Sequence, residues 1–352
     1  MRRLLTLALA LAACPPAAAR PTRLPAPDFP VQAVWLNARD MTLARLKGRR
    51  VLLVAFINAA NINSLRALEA LKAWDRRYAL DGLMVIGVHA PQYGFQKDPA
   101  YVREAVRRLG VEFPVILDNE RALWKAYAND GWPAFYLIDH KGSIVFDHFG
   151  ESGYEALEYA IQGEIEKLRG APPPGGLPSV SDPPPLGDDC GVMTPEIDLG
   201  ARRGRVYNLD LDELPNNQLL GPARDGEVAT RGRWVFEPDD LKLNQQNADQ
   251  SASIRVVFRG ARGFAVLGPG DAGAVKFWVR LDGGWLDRAS AGRDVRFDAD
   301  GRSFVEIKTP GMREVVHGSA DNVHELSIAP MRIGGRIYAF SFNNKCLKVS
   351  LP

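Results

Sequence analysis

The segment at residues 170–189, GAPPPGGLPSVSDPPPLGDD, constrains this chain more than any other stretch of it. It is dense in proline and glycine and nearly free of apolar side chains, so it cannot form a core layer. Such composition favours extended backbone that spaces neighbouring domains semi-rigidly. The chain therefore reads as two domains, 31–169 and 190–352, and its 352 residues suit two domains of ordinary size. A hydrophobic content of 46% supplies a core for each.

The two halves carry different periodicities. In the first, residues 51–56 (VLLVAF) and 83–89 (LMVIGVH) are continuous apolar runs, the pattern of strands buried on both faces. Between them, Leu65, Leu68, Leu71 and Trp74 recur at helical spacing over 63–78, and Asn61 or Asn63 can cap the helix start. Further helices are expected over 99–109, 120–127 and 152–168, with strands at 115–117, 135–138 and 144–149. The order β-α-β-α-β-α-β-β-α predicts an α/β domain with a mixed sheet. From about Thr194 the pattern becomes short alternating segments at 254–258, 261–267, 275–281, 294–297, 304–308, 324–328 and 337–342. Turns such as Asp282-Gly283-Gly284 and Gly334-Gly335 separate them, which predicts an all-β sandwich of jelly-roll type.

The N-terminus reads as an export signal over residues 1–19, with Arg2 and Arg3 before the apolar run 4–13, followed by a linker at 20–30. That run is too short to span a membrane. Leu11-Ala12-Ala13-Cys14 resembles a bacterial lipobox, in which Cys14 would be lipidated; cleavage after Ala17-Ala18-Ala19 is the competing outcome. Either route places the chain in the periplasm or at the outer membrane, touching membrane only through a lipid anchor. Cys190 and Cys346 are then the two cysteines of the folded part, and in an oxidising compartment they are expected to form a disulfide.

The arrangement around the first strand, GRRVLLVAFINAANINSLRALEALKAWDRRY, resembles the thioredoxin superfamily in its redoxin or TlpA-like branch. The likeness continues through residues 83–154. The pairing of this domain with a sandwich beginning at Thr194-Pro195-Glu196-Ile197-Asp198-Leu199-Gly200 resembles the C-terminal part of DipZ-type proteins, where the second domain is carbohydrate-binding-module-like. The resemblance implies a thioredoxin-like fold and, in the loop after the first strand, a Cys-x-x-Cys pair. There the first thiol is acidified by a helix N-terminus and the second resolves the mixed disulfide. Aligned on Phe56 and Leu65-Arg66, the two positions are Asn61 and Ser64. An amide is no nucleophile, and a serine needs an adjacent base. The chain is expected to perform no dithiol chemistry, and no catalytic residue is assigned.

Other parts of that site persist. Trp132-Pro133 matches the loop where the family keeps a cis-proline, whose preceding residue offers backbone to an extended polypeptide. His89-Ala90-Pro91-Gln92-Tyr93 stands where similar proteins read His-Thr-Pro-Glu-Phe. Trp132, Pro133 and His89 thus mark a candidate peptide groove.

Forty-four basic against 42 acidic residues leave a net charge of +2, which argues against a nucleic-acid surface. The five histidines form no ligand cluster, and Asp298-Ala299-Asp300-Gly301 lacks the later glutamate of a calcium loop, so no metal or cofactor is expected. Among the sandwich tryptophans, Trp278 is expected in the core and Trp285 exposed, the latter being the candidate for stacking on a glycan. Three functions follow from different features: a non-catalytic platform for an exported or envelope polypeptide, a thiol-disulfide oxidoreductase, and an envelope glycan-binding protein.

Overall fold

A computed structural model of the chain describes residues 24–176, 178–183, 190–204, 206, 224–318 and 322–347. Cys14 and the segment read as an export signal lie outside these residues.

The first domain comprises β1 (Leu24–Pro25), β2 (Val34–Leu36), α1 (Leu43–Leu46), β3 (Val51–Ile57), α2 (Ile62–Tyr78), β4 (Leu83–His89), α3 (Pro99–Arg108), β5 (Val115–Leu117), α4 (Ala122–Ala126), β6 (Ala134–Ile138), β7 (Ser143–Phe149) and α5 (Tyr154–Arg169). Its sheet runs β1-β7-β6-β3-β4-β5-β2, with β3, β4 and β5 parallel and β6 antiparallel to β3. Every residue of β3 is buried, as its unbroken apolar run requires. Alternation then divides its side chains: Leu53 and Ala55 join the core formed with α2, α3 and α5, while Leu52, Val54 and Phe56 join the core beneath α1 and α4. Beyond the expected order, the chain adds β1, β2 and α1 at the sheet's edges.

The second domain comprises β8 (Ile197–Asp198), β9 (Val228–Arg231), β10 (Trp234–Phe236), β11 (Leu241–Leu243), β12 (Ser253–Arg259), β13 (Arg262–Gly268), β14 (Val275–Leu281), β15 (Gly284–Trp285), β16 (Arg296–Phe297), β17 (Ser303–Ile307), β18 (Gly311–His317), β19 (Val323–Pro330) and β20 (Arg336–Asn343). Two antiparallel sheets pack around one core: β10-β11-β20-β13-β18 with β8 on β20, and β16-β17-β14-β19-β12-β9 with β15 on β14. Asp282 and Gly283 both adopt positive φ between β14 and β15, the backbone that a two-residue hairpin turn demands. Cys190 and Cys346, 156 residues apart, are disulfide-bonded and close this domain on itself.

The described part of the proline-rich segment does not stand free as a spacer. Ser179 donates its amide and hydroxyl to the Glu158 carboxylate on α5 at 2.9 and 2.8 Å, and Val180 adds its amide at 3.1 Å. The same carboxylate, fully buried, accepts from Trp74 Nε1, Tyr78 OH and Arg77 on α2. A buried charge needs this many partners, and by taking them Glu158 pins α2, α5 and the linker together.

Candidate functional site

The site grows from the end of β3. As in thioredoxin-like folds, the chain turns there into α2, whose N-cap is Asn61: its side-chain Oδ1 accepts the amide of Ser64 at 3.0 Å. β6 begins opposite, with Phe56 paired to Ala134, so the preceding Trp132–Pro133 bond, which is cis, lies beside the start of α2. β4 ends alongside at His89, paired with Ile57. The sequence-predicted positions Asn61, Ser64, His89, Trp132 and Pro133 therefore gather at one end of the sheet.

At the two positions aligned with the thiols, the side chains are held by hydrogen bonds. Ser64 is fully buried and its hydroxyl accepts the Asn58 amide at 3.0 Å; no imidazole or carboxylate reaches it among the described residues. Without such a base its hydroxyl is a poor nucleophile. Asn58 in turn exchanges hydrogen bonds with Gln96 (3.0 and 2.6 Å), whose Oε1 also accepts the amides of Gln92 and Tyr93. This network ties the α2 start to the loop after β4.

The second domain covers this surface. Its first strand, β8, pairs with β20 and brings Glu196 and Asp198 onto the loop. Asn61 Nδ2 donates to Glu196 at 3.3 and 3.4 Å, Gln92 Nε2 donates to Glu196 at 3.2 Å and to Asp198 at 3.1 Å, and Ser341 Oγ donates to Glu196 at 2.9 Å. Tyr93 OH donates to Asp198 at 3.0 Å, and Arg203 pairs with Asp198 at 3.1 Å. An apolar seam of Ala60, Tyr93, Val266, Tyr338 and Ala339 surrounds these bonds. Arg66 on α2 extends the contact, bonding Asn343 of β20 and pairing with Glu151. Asn61 is left 5% exposed.

Electrostatics explain the residue types. A helix N-terminus favours an anion, and the Glu196 carboxylate sits against the N-cap of α2, accepting from Asn61. Burial, then the neighbouring Asp198, raises the Glu196 pKa, while hydrogen bonds from Gln92 and Ser341 oppose the rise. Burial, then Glu196 and Asp198, holds the Tyr93 hydroxyl far above its ordinary value, so it remains a donor. A carboxylate at position 92, as the resemblance leads one to expect, would put three acids together; Gln92 supplies a donor instead.

His89 is buried with neither ring nitrogen bonded among the described residues, and burial pushes its pKa down to about 4. It is a neutral core imidazole rather than a groove residue facing solvent. Trp132 is half-buried, packed against Trp124 at 4.5 Å with the Arg121 guanidinium 5.1 Å from its ring. The Pro133 carbonyl accepts the Gly150 amide, whereas neither backbone polar group of Trp132 has a partner among the described residues.

Elsewhere, Asp298 Oδ1 accepts the amides of Asp300 and Arg302 at 3.0 and 2.9 Å, so that segment is an acid-closed turn. Trp285 is half-buried rather than exposed. Trp278, expected in the core, is buried in a separate outer cluster with Phe304 and Ala329, because Val275, Phe277 and Val279 take the inward positions of β14. No role is legible in the sequence for Glu196, Asp198, Arg203 or Arg66, while Gln92 and Tyr93 stand in the His89–Tyr93 segment without an indicated partner. The Thr194–Gly200 motif carries Glu196 and Asp198, but nothing local says which surface they meet.

Residues 22–160 match the Redoxin family and residues 194–343 the family described as thioredoxin like C-terminal domain. The chain is 36% identical over 222 residues to Protein DipZ of Mycobacterium tuberculosis, covering 60% of this chain and 31% of that protein. It is 28% identical over 139 residues to the thiol-disulfide oxidoreductase YkuV of Bacillus subtilis, covering 40% of this chain and 93% of that one. Among solved structures it is similar to the thioredoxin-like superfamily protein SPOA0173, with 21% identity, 44% of this chain and 99% of that chain covered, and a TM-score of 0.38. The chain spans about a third of the length of the DipZ proteins it matches. The first domain thus matches the Redoxin family on a thioredoxin-like fold, and the antiparallel sheets that follow match the thioredoxin like C-terminal domain.

Proposed function

We propose that this chain is a thioredoxin-fold protein without thiol-disulfide turnover, acting as an exported binding or scaffold protein of the bacterial cell envelope. One observation carries the reading: Asn61 caps α2 and bonds Glu196 of the second domain, where the family keeps its attacking thiol. The three cysteines of the chain are Cys14, Cys190 and Cys346; the last two are spent on each other and the first belongs to the segment read as an export signal. Without a thiolate there is no attack on a substrate disulfide.

The Trp132 backbone, without a partner among the described residues, supports binding of an extended polypeptide, which adds to such an edge by main-chain hydrogen bonds. The contact would run along the Trp132 side, away from the covered Asn61. Crosslinking from a photoreactive residue at position 132 in cells tests it: the reading expects exported polypeptides to be captured, and no adduct from position 132 beyond that seen from a surface position such as 332 would overturn it. Lipidation of Cys14 is part of the same proposal, and Cys14→Ala should then release the protein from membranes.

A second reading, glycan binding by the sandwich, is favoured by one feature of its outer face. The Trp278 and Trp285 rings lie 5.4 Å apart, the Arg280 guanidinium is 4.2 Å from the Trp285 ring, and Trp278 and Arg280 line a cavity of about 270 Å³. Binding to isolated peptidoglycan that disappears in Trp285→Ala would establish it.

A further inference from the structure

A second cleft, distinct from the covered loop, opens along the seam between the domains. Its volume is about 310 Å³, within the range of small-molecule sites. Ala59 and Leu65 flank its floor beside the start of α2, Tyr101 and Arg108 come from α3, and the opposite wall comes from the sandwich. That wall supplies Arg293, Asp294, Arg296, Glu306 and Arg313, so with Arg108 four guanidinium groups and two carboxylates line the cleft.

Both carboxylates already have partners. Asp294 Oδ2 accepts the Glu314 amide at 2.8 Å, and Glu306 lies 3.7 Å from Arg296 and 4.0 Å from Lys308. Arg108 is 3.7 Å from Glu104 on its own helix. Arg313 is different. Its guanidinium donates to the carbonyls of Met312 (2.8 Å) and Thr309 (3.0 Å), and no carboxylate lies within ion-pair distance of it among the described residues. Burial lowers its pKa, Asp294 opposes this from a distance, and Arg108 and Arg293 add to the lowering. Arg313 is half-buried, and a partly desolvated cation without a counter-charge favours an anionic partner. The carbonyl bonds also fix the plane of the guanidinium, which suits a carboxylate or phosphate group. Tyr101, its pKa pushed up to about 12 chiefly by burial, keeps its proton and can donate into the same space.

We propose that this interdomain cleft binds a small dianion, either a phosphate or a dicarboxylate, gripped by Arg313 from the sandwich and Arg108 from the thioredoxin-like domain. A dianion would supply the counter-charge that Arg313 lacks among the described residues. The site does not depend on what occupies positions 61 and 64, so it stands whether or not the protein turns over thiols.

The test is calorimetric titration of the full chain with inorganic phosphate and, separately, succinate, at constant ionic strength set with sodium chloride. Saturable one-to-one binding of at least one probe is expected, and the tighter of the two identifies the ligand class. Arg313→Met should weaken it about tenfold or more, the usual effect of losing a charge-assisted hydrogen bond. Arg108→Gln, an exposed change on the other domain, should weaken it in the same direction and keeps the test valid if Arg313→Met does not fold. Arg332→Gln, outside the cleft, should leave it unchanged. No saturable binding of either probe, or binding that Arg108→Gln leaves intact, would overturn the assignment.

Discussion

Replacing Glu196 by alanine should loosen the cover over α2. In the native seam its carboxylate accepts from Asn61, Gln92 and Ser341. Gln92 would retain Asp198 as acceptor, but Asn61 Nδ2 and Ser341 Oγ would have none, and these residues are 5% and 1% exposed. Each stranded donor costs about 1–3 kcal/mol. Removing a carboxylate crowded by Asp198 returns part of that, so a net loss of about 2–4 kcal/mol is expected. Hydrogen exchange is the assay. The Ser64 amide is bonded to the Asn61 cap, so a seam weakened by that amount should speed its exchange roughly 30- to 700-fold. Glu196→Gln, which keeps one acceptor oxygen, should fall between the variants. If Glu196→Ala exchanges at Ser64 within about threefold of wild type and unfolds at the same denaturant concentration, Glu196 does not hold the cover down.

His89 predicts a pH dependence. Its pKa is about 4 in the folded chain against the ordinary 6.5, so between these values the unfolded chain binds a proton that the folded chain does not. Stability present above pH 6.5 is therefore lost as pH falls toward 4, by up to about 3 kcal/mol, and His89→Leu should flatten that part of the profile in urea titrations. Gln92→Glu should destabilise by about 1–3 kcal/mol at pH 7, because it sets a third carboxylate beside Glu196 and Asp198, and the loss should shrink as pH is lowered. Reducing the Cys190–Cys346 bond, or Cys346→Ser, removes a crosslink spanning 156 residues. The chain-entropy relation puts that at about 5 kcal/mol, so the sandwich should unfold at markedly lower urea while α2 and α5 persist by circular dichroism.

Much of this architecture is written locally. The unbroken apolar run of β3 specifies a central strand, the spacing of Leu65, Leu68, Leu71 and Trp74 specifies α2, and an asparagine before that run specifies its cap. The cover over the site is not local. Asn61 and Glu196 are 135 residues apart, and neither flanking sequence encodes the other's position. Within the sandwich, β18 is not legible locally because Arg313 and Glu314 interrupt its alternation, although Glu314 is buried and pairs with Arg262 at 2.8 Å. Trp278 shows the limit of hydrophobicity as a guide: a one-residue offset moves a side chain to the other face of a strand, and here an outer cluster buries it all the same.

Turnover itself gives the most direct test of the claim that positions 61 and 64 hold no working nucleophile. Purified wild-type protein, assayed for dithiothreitol-driven reduction of insulin disulfides, should match the protein-free rate. An increase over that rate that persists in Ser64→Ala would contradict the account.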